Sequence, residues 1–206
     1  MKDLQEFMDA ARAGDIVTLS RSPELVKSRH QQATALHFAA IHGQIEAARW
    51  LLDHGADLEA RDGDFHATPL SWANEKGQTA MVAFLLGRGA GIDLWQAVAL
   101  GRVDRLDELL SANPELLEEE REWGNAVHQA CFWGRMDSLE WLIRHGADIR
   151  LRSTHGFTPL QVAERQSRDA RSHTPIILAE RKAEIERASV RMVERLRAAL
   201  DEPAAV

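Results

Sequence analysis

The 206-residue chain has one cysteine, Cys131, so it holds no internal disulfide and no zinc site built on cysteines. No apolar run approaches the roughly 18 residues that would span a bilayer. The opening stretch MKDLQEFMDA is polar and acidic and lacks the hydrophobic core of a signal peptide. A reduced, cytoplasmic protein with no membrane partner is therefore expected. Catalytic signatures are missing as well. There is no GxGxxG, no GxxxxGK followed by Ser or Thr, no GxSxG and no HExxH. No cofactor and no metal ion are expected, and an enzyme is not the favoured reading.

A basic excess is also lacking. The net charge is −7, and it is uneven, with −10 over residues 1–149 and +5 over residues 150–197. An acidic body lacks the positive footprint that nucleic-acid binding needs, so no nucleic-acid partner is expected. The basic stretch near the C-terminus reads either as a solvated helix face or as a contact for an acidic partner.

What the chain does have is repetition. WLLDHGAD at 50–57 returns as WLIRHGAD at 141–148, 91 positions later. The same offset pairs Pro23 with Pro114, His37 with His128 and Gly43 with Gly134. A shorter period lies inside, since Thr34 and Thr68 are 34 apart and Asn125 and Thr158 are 33 apart. Each copy reads as two short helices. Thr or Asn caps the first, and Pro69 or Pro159 takes the first helical position, where a missing N–H costs nothing. Gly43, Gly77 or Gly134 then ends it, and a second apolar helix runs to Gly55, Gly89 or Gly146. Such helices cannot bury their apolar faces alone, but a stack of them can.

TALHFAAIHG and LLDHGAD resemble the ankyrin repeat, whose signature carries TPLHxAAxxG and later LLxxGAD. The resemblance implies an all-α ankyrin solenoid, stacked helix–turn–helix units with β-like fingers. About six repeats are expected, at 3–30, 31–63, 64–91, 92–121, 122–154 and 155–200, forming one domain over 1–206. The plan reads as a three-repeat block duplicated once. The first and fourth units share a PEL motif, at 23–25 and 114–116. The first has four residues fewer between its glycine and that motif, so its second helix should be about a turn shorter. The sixth unit carries an insertion at about 168–187. One long helix is expected over 175–200, with its later half packing as the last repeat's second helix and its earlier half overhanging.

The resemblance gives the histidines of the TPLH slot, His37 and His128, a structural role in bonding neighbouring loops, and it puts Trp95 in that slot in the fourth unit. It also places the fingers and the two residues before each mid-repeat glycine on the concave side. The candidate partner-binding residues are thus His42, Asp64, Phe65, His66, Glu75, Lys76, Trp123, Phe132, Trp133, Phe157, Arg165 and Gln166. Phe132 and Trp133 either meet a ligand or lie under a neighbouring finger or repeat. Phe65 either points at a partner or folds back over the repeat junction. A metal site from His30, His42, His66 or His155 with Asp62 or Asp64 is not demanded by any spacing. Glu118–Glu120 reads as a solvated connector, and Cys131 as a buried, inert thiol.

The expected function is a monomeric protein-binding module that takes another protein along its concave groove and finger tips. The alternative is a small-molecule or enzymatic site in the same groove. It calls for an enclosed pocket near Trp72, Trp133 and His66 holding a group of shifted pKa.

Overall fold

A computed structural model describes residues 2–63, 66–121, 123–169 and 179–201. The chain divides into two compact units, Met1–Gly91 and Ile92–Val206. The division falls where the duplication begins its fourth repeat.

Among its described residues unit 1 contains six α-helices: α1 (Lys2–Ala13), α2 (Ile16–Leu19), α3 (Ala35–Ile41), α4 (Ile45–Asp53), α5 (Pro69–Glu75) and α6 (Thr79–Gly87). They form two rows. α1, α3 and α5 pack side by side, as do α2, α4 and α6. Phe7, Met8, Leu36, Leu51, Leu70, Met81 and Leu85 are fully buried in this unit. A hairpin of two short strands, β1 (Arg29–His30) and β2 (Ala33–Thr34), forms one finger. Its two turn residues, Gln31 and Gln32, both have positive φ, the signature of a type I′ turn.

Unit 2 repeats the plan with α7 (Leu94–Leu100), α8 (Val103–Ala112), α9 (Ala126–Trp133), α10 (Met136–Arg144), α11 (Pro159–Asp169) and α12 (Ala179–Asp201). One row is α7, α9 and α11, and the other is α8, α10 and α12. Its core centres on Val98, Leu106, Val127, Leu139, Leu142, Met192 and Leu196. α8 has 10 residues where α2 has 4, so the first unit's helix is shorter by six residues rather than by one turn.

The first helices start on reciprocal caps. The backbone N–H of Thr34 donates to His37 Nδ1 at 3.3 Å, and that of Asn125 to His128 Nδ1 at 3.2 Å. In α7, Asp93 and Gln96 exchange the same pair of bonds, at 2.9 and 2.8 Å. The histidine slot is therefore held by Gln96, one residue after Trp95. Trp95 is buried and donates its indole N–H to Glu119 Oε1 at 3.0 Å. Glu119 is thereby a structural acceptor, a role the solvated-connector reading of 118–120 did not give it.

A second device recurs where the first helix ends. The residue that opens the next repeat's second helix lies against the glycine and donates to the carbonyl two residues before it. Gln44 reaches Arg12 O at 3.1 Å, Gln78 reaches Ile41 O at 3.3 Å, and Arg135 reaches Ala99 O at 2.6 Å. At Gly134 the neighbour is α12. A Cβ there would lie 3.0 Å from Ile185 Cα and 3.2 Å from Ala188 Cβ, and the residue has φ +64°, so glycine is required twice over. Ile185 thus stands where Gln44, Gln78 and Arg135 stand in other repeats. Residues 186–201 act as the last repeat's second helix, and 179–184 extend beyond that point. Residues 175–178 of the expected helix lie outside the described residues.

Candidate functional site

The site-forming geometry of unit 2 starts from His128. Its ring is buried, which lowers its pKa, and its Nε2 donates to Phe157 O at 2.8 Å. That bond ties α9 to the finger before α11. The finger closes on itself through Ser153 N to Phe157 O (2.9 Å) and Gly156 N to Ser153 O (2.8 Å), with Arg152 Nη1 on Gly156 O at 2.8 Å. The preceding finger closes through paired bonds between Arg121 and Gly124, at 2.9 and 2.8 Å. Gly124 has φ +107°, and a Cβ there would meet the His128 ring at 2.5 Å, so one imidazole positions both fingers. At their tips Trp123 and His155 stack, with centroids 4.3 Å apart and planes 6° from parallel. Trp123 is 60% exposed and His155 is exposed. Phe157 is exposed beside them, with the Arg165 guanidinium 5.4 Å over its ring. Trp123, Phe157 and Arg165 were expected here. For His155 the sequence offers only a place among candidate metal ligands. Its finger position relative to Trp123, one residue off the 33-residue spacing, was the available signal.

Unit 1 uses the same anchoring. The Thr34 N–H and hydroxyl both converge on His37 Nδ1, so Nε2 carries the proton and donates to Ala67 O at 3.1 Å. Burial lowers the His37 pKa, consistent with a neutral ring. Trp72 packs edge-on against both His37 and Phe38 and donates its indole N–H to buried Asp62 at 2.7 Å. Arg12 lies 4.0 Å over the Phe38 ring. Exposed His42 has its pKa lowered by partial burial and then by the charges of Arg12 and Lys76. Arg12 and Lys76 thus act on His42 from nearby, and their charges with burial favour its neutral ring, while Arg12 is itself paired with Asp9. At half-buried Glu75 burial, followed by the nearby charge of Asp62, raises the pKa to about 7. His66 is exposed, with φ +52°. Asp64 and Phe65 lie outside the described residues.

Two expected contact residues are buried. Trp133 is 5% exposed, packed with Ala99, Ile185 and half-buried Phe132. The physical reason is α12, whose Ile185 covers the surface that the glycine leaves open. Gln166 is 3% exposed and donates Nε2 to Phe132 O at 3.3 Å, the same inter-repeat bond that Gln44, Gln78 and Arg135 make elsewhere. It is a structural stitch rather than a contact residue. Asp62 is committed to Trp72 and to the Ala67 N–H, and no group of three or more candidate metal ligands comes together among the described residues.

The short motif that repeats at 50–57 and 141–148 is also explained. His54 and His145 each donate Nδ1 to the tryptophan carbonyl four residues earlier, at 2.8 and 2.7 Å. Each ring stacks on that tryptophan, at 3.9 and 3.6 Å. The motif ends a helix and covers an indole with one side chain.

Comparison with known proteins gives the same repeat. The chain matches the family "Ankyrin repeats (3 copies)" over residues 7–95 and "Ankyrin repeat" over residues 125–154, together more than half of its length. It is 30% identical over 160 residues to the B-cell lymphoma 3 protein homolog of Mus musculus, covering 78% of this chain and 29% of that protein. It is 25% identical over 216 residues to palmitoyltransferase ZDHHC13 of Mus musculus, covering 80% of this chain and 35% of that one. The chain therefore spans about a third or less of these curated relatives. A chain of the solved complex of the Bd0816 predatory endopeptidase from Bdellovibrio bacteriovorus with immunity protein Bd3460 superposes with a TM-score of 0.54 at 20% identity. It covers 90% of this chain and 97% of that one, a likeness of fold alone. Caps, inter-repeat stitches and sequence matches agree, and the chain belongs to the ankyrin-repeat family.

Proposed function

We propose that this chain is a protein-binding module whose unit 2 takes its partner on the fingers, through Trp123, His155, Phe157 and Arg165. Ankyrin repeats generally mediate protein–protein interaction. The observation that carries the more specific reading is the exposed Trp123–His155 stack. Tryptophan left in solvent has a free-energy cost that a partner removes, and it is among the commonest anchors of interfaces. Stacking fixes the ring before binding, so less rotamer entropy is lost on association. The fold-alike structure is itself part of a protein complex, which agrees with this class of role.

The small-molecule alternative requires an enclosed pocket with a shifted titratable group. Glu75 supplies such a group. The depressions found in unit 2, one at Phe157, Gln161 and Arg165 and one at Asp107 and Trp141, are open to solvent.

The test is affinity capture with this protein and its Trp123→Ala/Phe157→Ala version as paired baits, proteins and small molecules both identified by mass spectrometry. A protein held only by the unsubstituted bait, at equal thermal stability of the two, supports the reading. Equal retention by both baits moves the interface away from these fingers, and a discrete small molecule without protein overturns the module class.

A further inference from the structure

The outer row of unit 2 carries a second feature that the finger surface does not use. Between α8 and α10 lies an open groove lined by Asp107, Leu110, Pro114, Leu117, Trp141 and His145. Its floor is rigid. The Trp141 indole N–H donates to Asp107 Oδ1 at 2.7 Å, and His145 stacks on that indole at 3.6 Å while its Nδ1 is bonded to Trp141 O. Its wall is apolar, made by Leu110 and by the PELL turn that follows α8. In unit 1 the residue at the same distance from the mid-repeat glycine is Pro23, beyond the end of α2, which stops after four residues.

The rim is acidic. Residues 103–120 hold seven Asp or Glu against one Arg. Asp104 and Glu108 are neutralised by Arg102 and Arg105. Exposed Asp107, between them in sequence, makes no ion pair among the described residues, and its one hydrogen bond there uses only Oδ1. Glu115 and Glu118, in the same turn as the lining residues Pro114 and Leu117, are also exposed.

We propose that this groove docks a basic, leucine-containing segment of a partner protein, with an arginine or lysine on Asp107 Oδ2 and an apolar side chain against Leu110, Pro114 and Leu117. Charge complementarity selects the occupant, since an anionic segment is repelled by Asp107, Glu115 and Glu118. An open groove rather than a closed cavity lets a backbone lie along it. The two surfaces of unit 2 then differ in chemistry: aromatic rings at the fingers, an acidic apolar groove on the outer row.

The test follows the Trp141 indole N–H and His145 ring resonances of the full chain by NMR, assigned with Trp141→Phe. The probe is the capped peptide Arg-Leu-Leu-Arg, with Glu-Leu-Leu-Glu and Arg-Gly-Gly-Arg as controls. The expected result is saturable movement of both resonances with the first peptide only, weakened by salt. Asp107→Asn keeps an acceptor for the indole, so the fold is retained, and it should weaken binding about tenfold, the loss of one charge-assisted bond. Trp123→Ala should leave this binding unchanged. The proposal is overturned by absence of movement at about 1 mM peptide, a concentration that reports even weak docking. It is equally overturned by equal response to the acidic peptide, by indifference to Asp107→Asn, or by movement confined to Trp123 and His155.

Discussion

Gly134→Ala probes how tightly the last helix is seated. Gly101 and Gly134 end equivalent helices with nearly the same backbone, φ 71° and ψ 27° against φ 64° and ψ 34°. An alanine at either site takes a left-handed conformation, at about 1 kcal/mol. Each also loses the same unfolded-state freedom, which cancels in the comparison. The surroundings differ. At Gly101 the new Cβ meets only the flexible Arg135 side chain, at 3.8 Å. At Gly134 it meets the α12 backbone at 3.0 Å. That helix cannot give locally, because Met192 and Leu196 are fully buried and Arg195 holds Glu140 at 3.0 Å. Overpacking of this kind costs about 1–3 kcal/mol, so Gly134→Ala should destabilise by about 2–4 kcal/mol and Gly101→Ala by about 1. Urea unfolding followed by far-UV circular dichroism measures both. Equal midpoint shifts for the two variants would falsify the close approach of α12.

Glu75 gives a pH signature. Its folded-state pKa of about 7 lies above the ordinary 4.5, so between those values the unfolded chain has released a proton that the fold retains. Stability therefore falls as pH rises through that window, and Glu75→Gln should recover up to about 3 kcal/mol above pH ~7; thermal melts across pH that show no gain at the alkaline end refute this. His128→Ala removes a buried cap partner and the bond to Phe157 O, and should cost about 2–4 kcal/mol, read by urea unfolding. Trp123→Ala, by contrast, should change stability by less than about 0.5 kcal/mol, since the ring is mostly in solvent. Burial raises the Cys131 thiol above the range in which thiolate forms, so a thiol reagent should modify it only after denaturation; labelling of the folded chain contradicts its burial.

The sequence by itself determined everything that depends on short-range periodicity. Thr34, Thr68, Asn125 and Thr158 open helices because a polar side chain one turn from the next N–H groups satisfies them, whatever lies elsewhere. WLLDHGAD and WLIRHGAD read twice because a histidine four residues after a tryptophan caps and stacks by helical geometry alone. The finger aromatics Trp123 and Phe157 were legible from repeat spacing.

What depended on distant chain was not legible. Trp133 occupies a slot that the repeat leaves in solvent, but a helix more than 40 residues later covers it. Gln166 sits in the same slot of the next repeat and became a stitch because α12 brings Ile185, with no donor of its own, to the place of Gln44. Trp95 lay one residue from the slot assigned to it, since Asp93 and Gln96 set the cap register. The outer groove needed a turn of α8, the PELL segment and Trp141 to meet across some 30 residues. Local order fixes where helices begin, but burial is a property of what packs on them, and only the folded chain decides that.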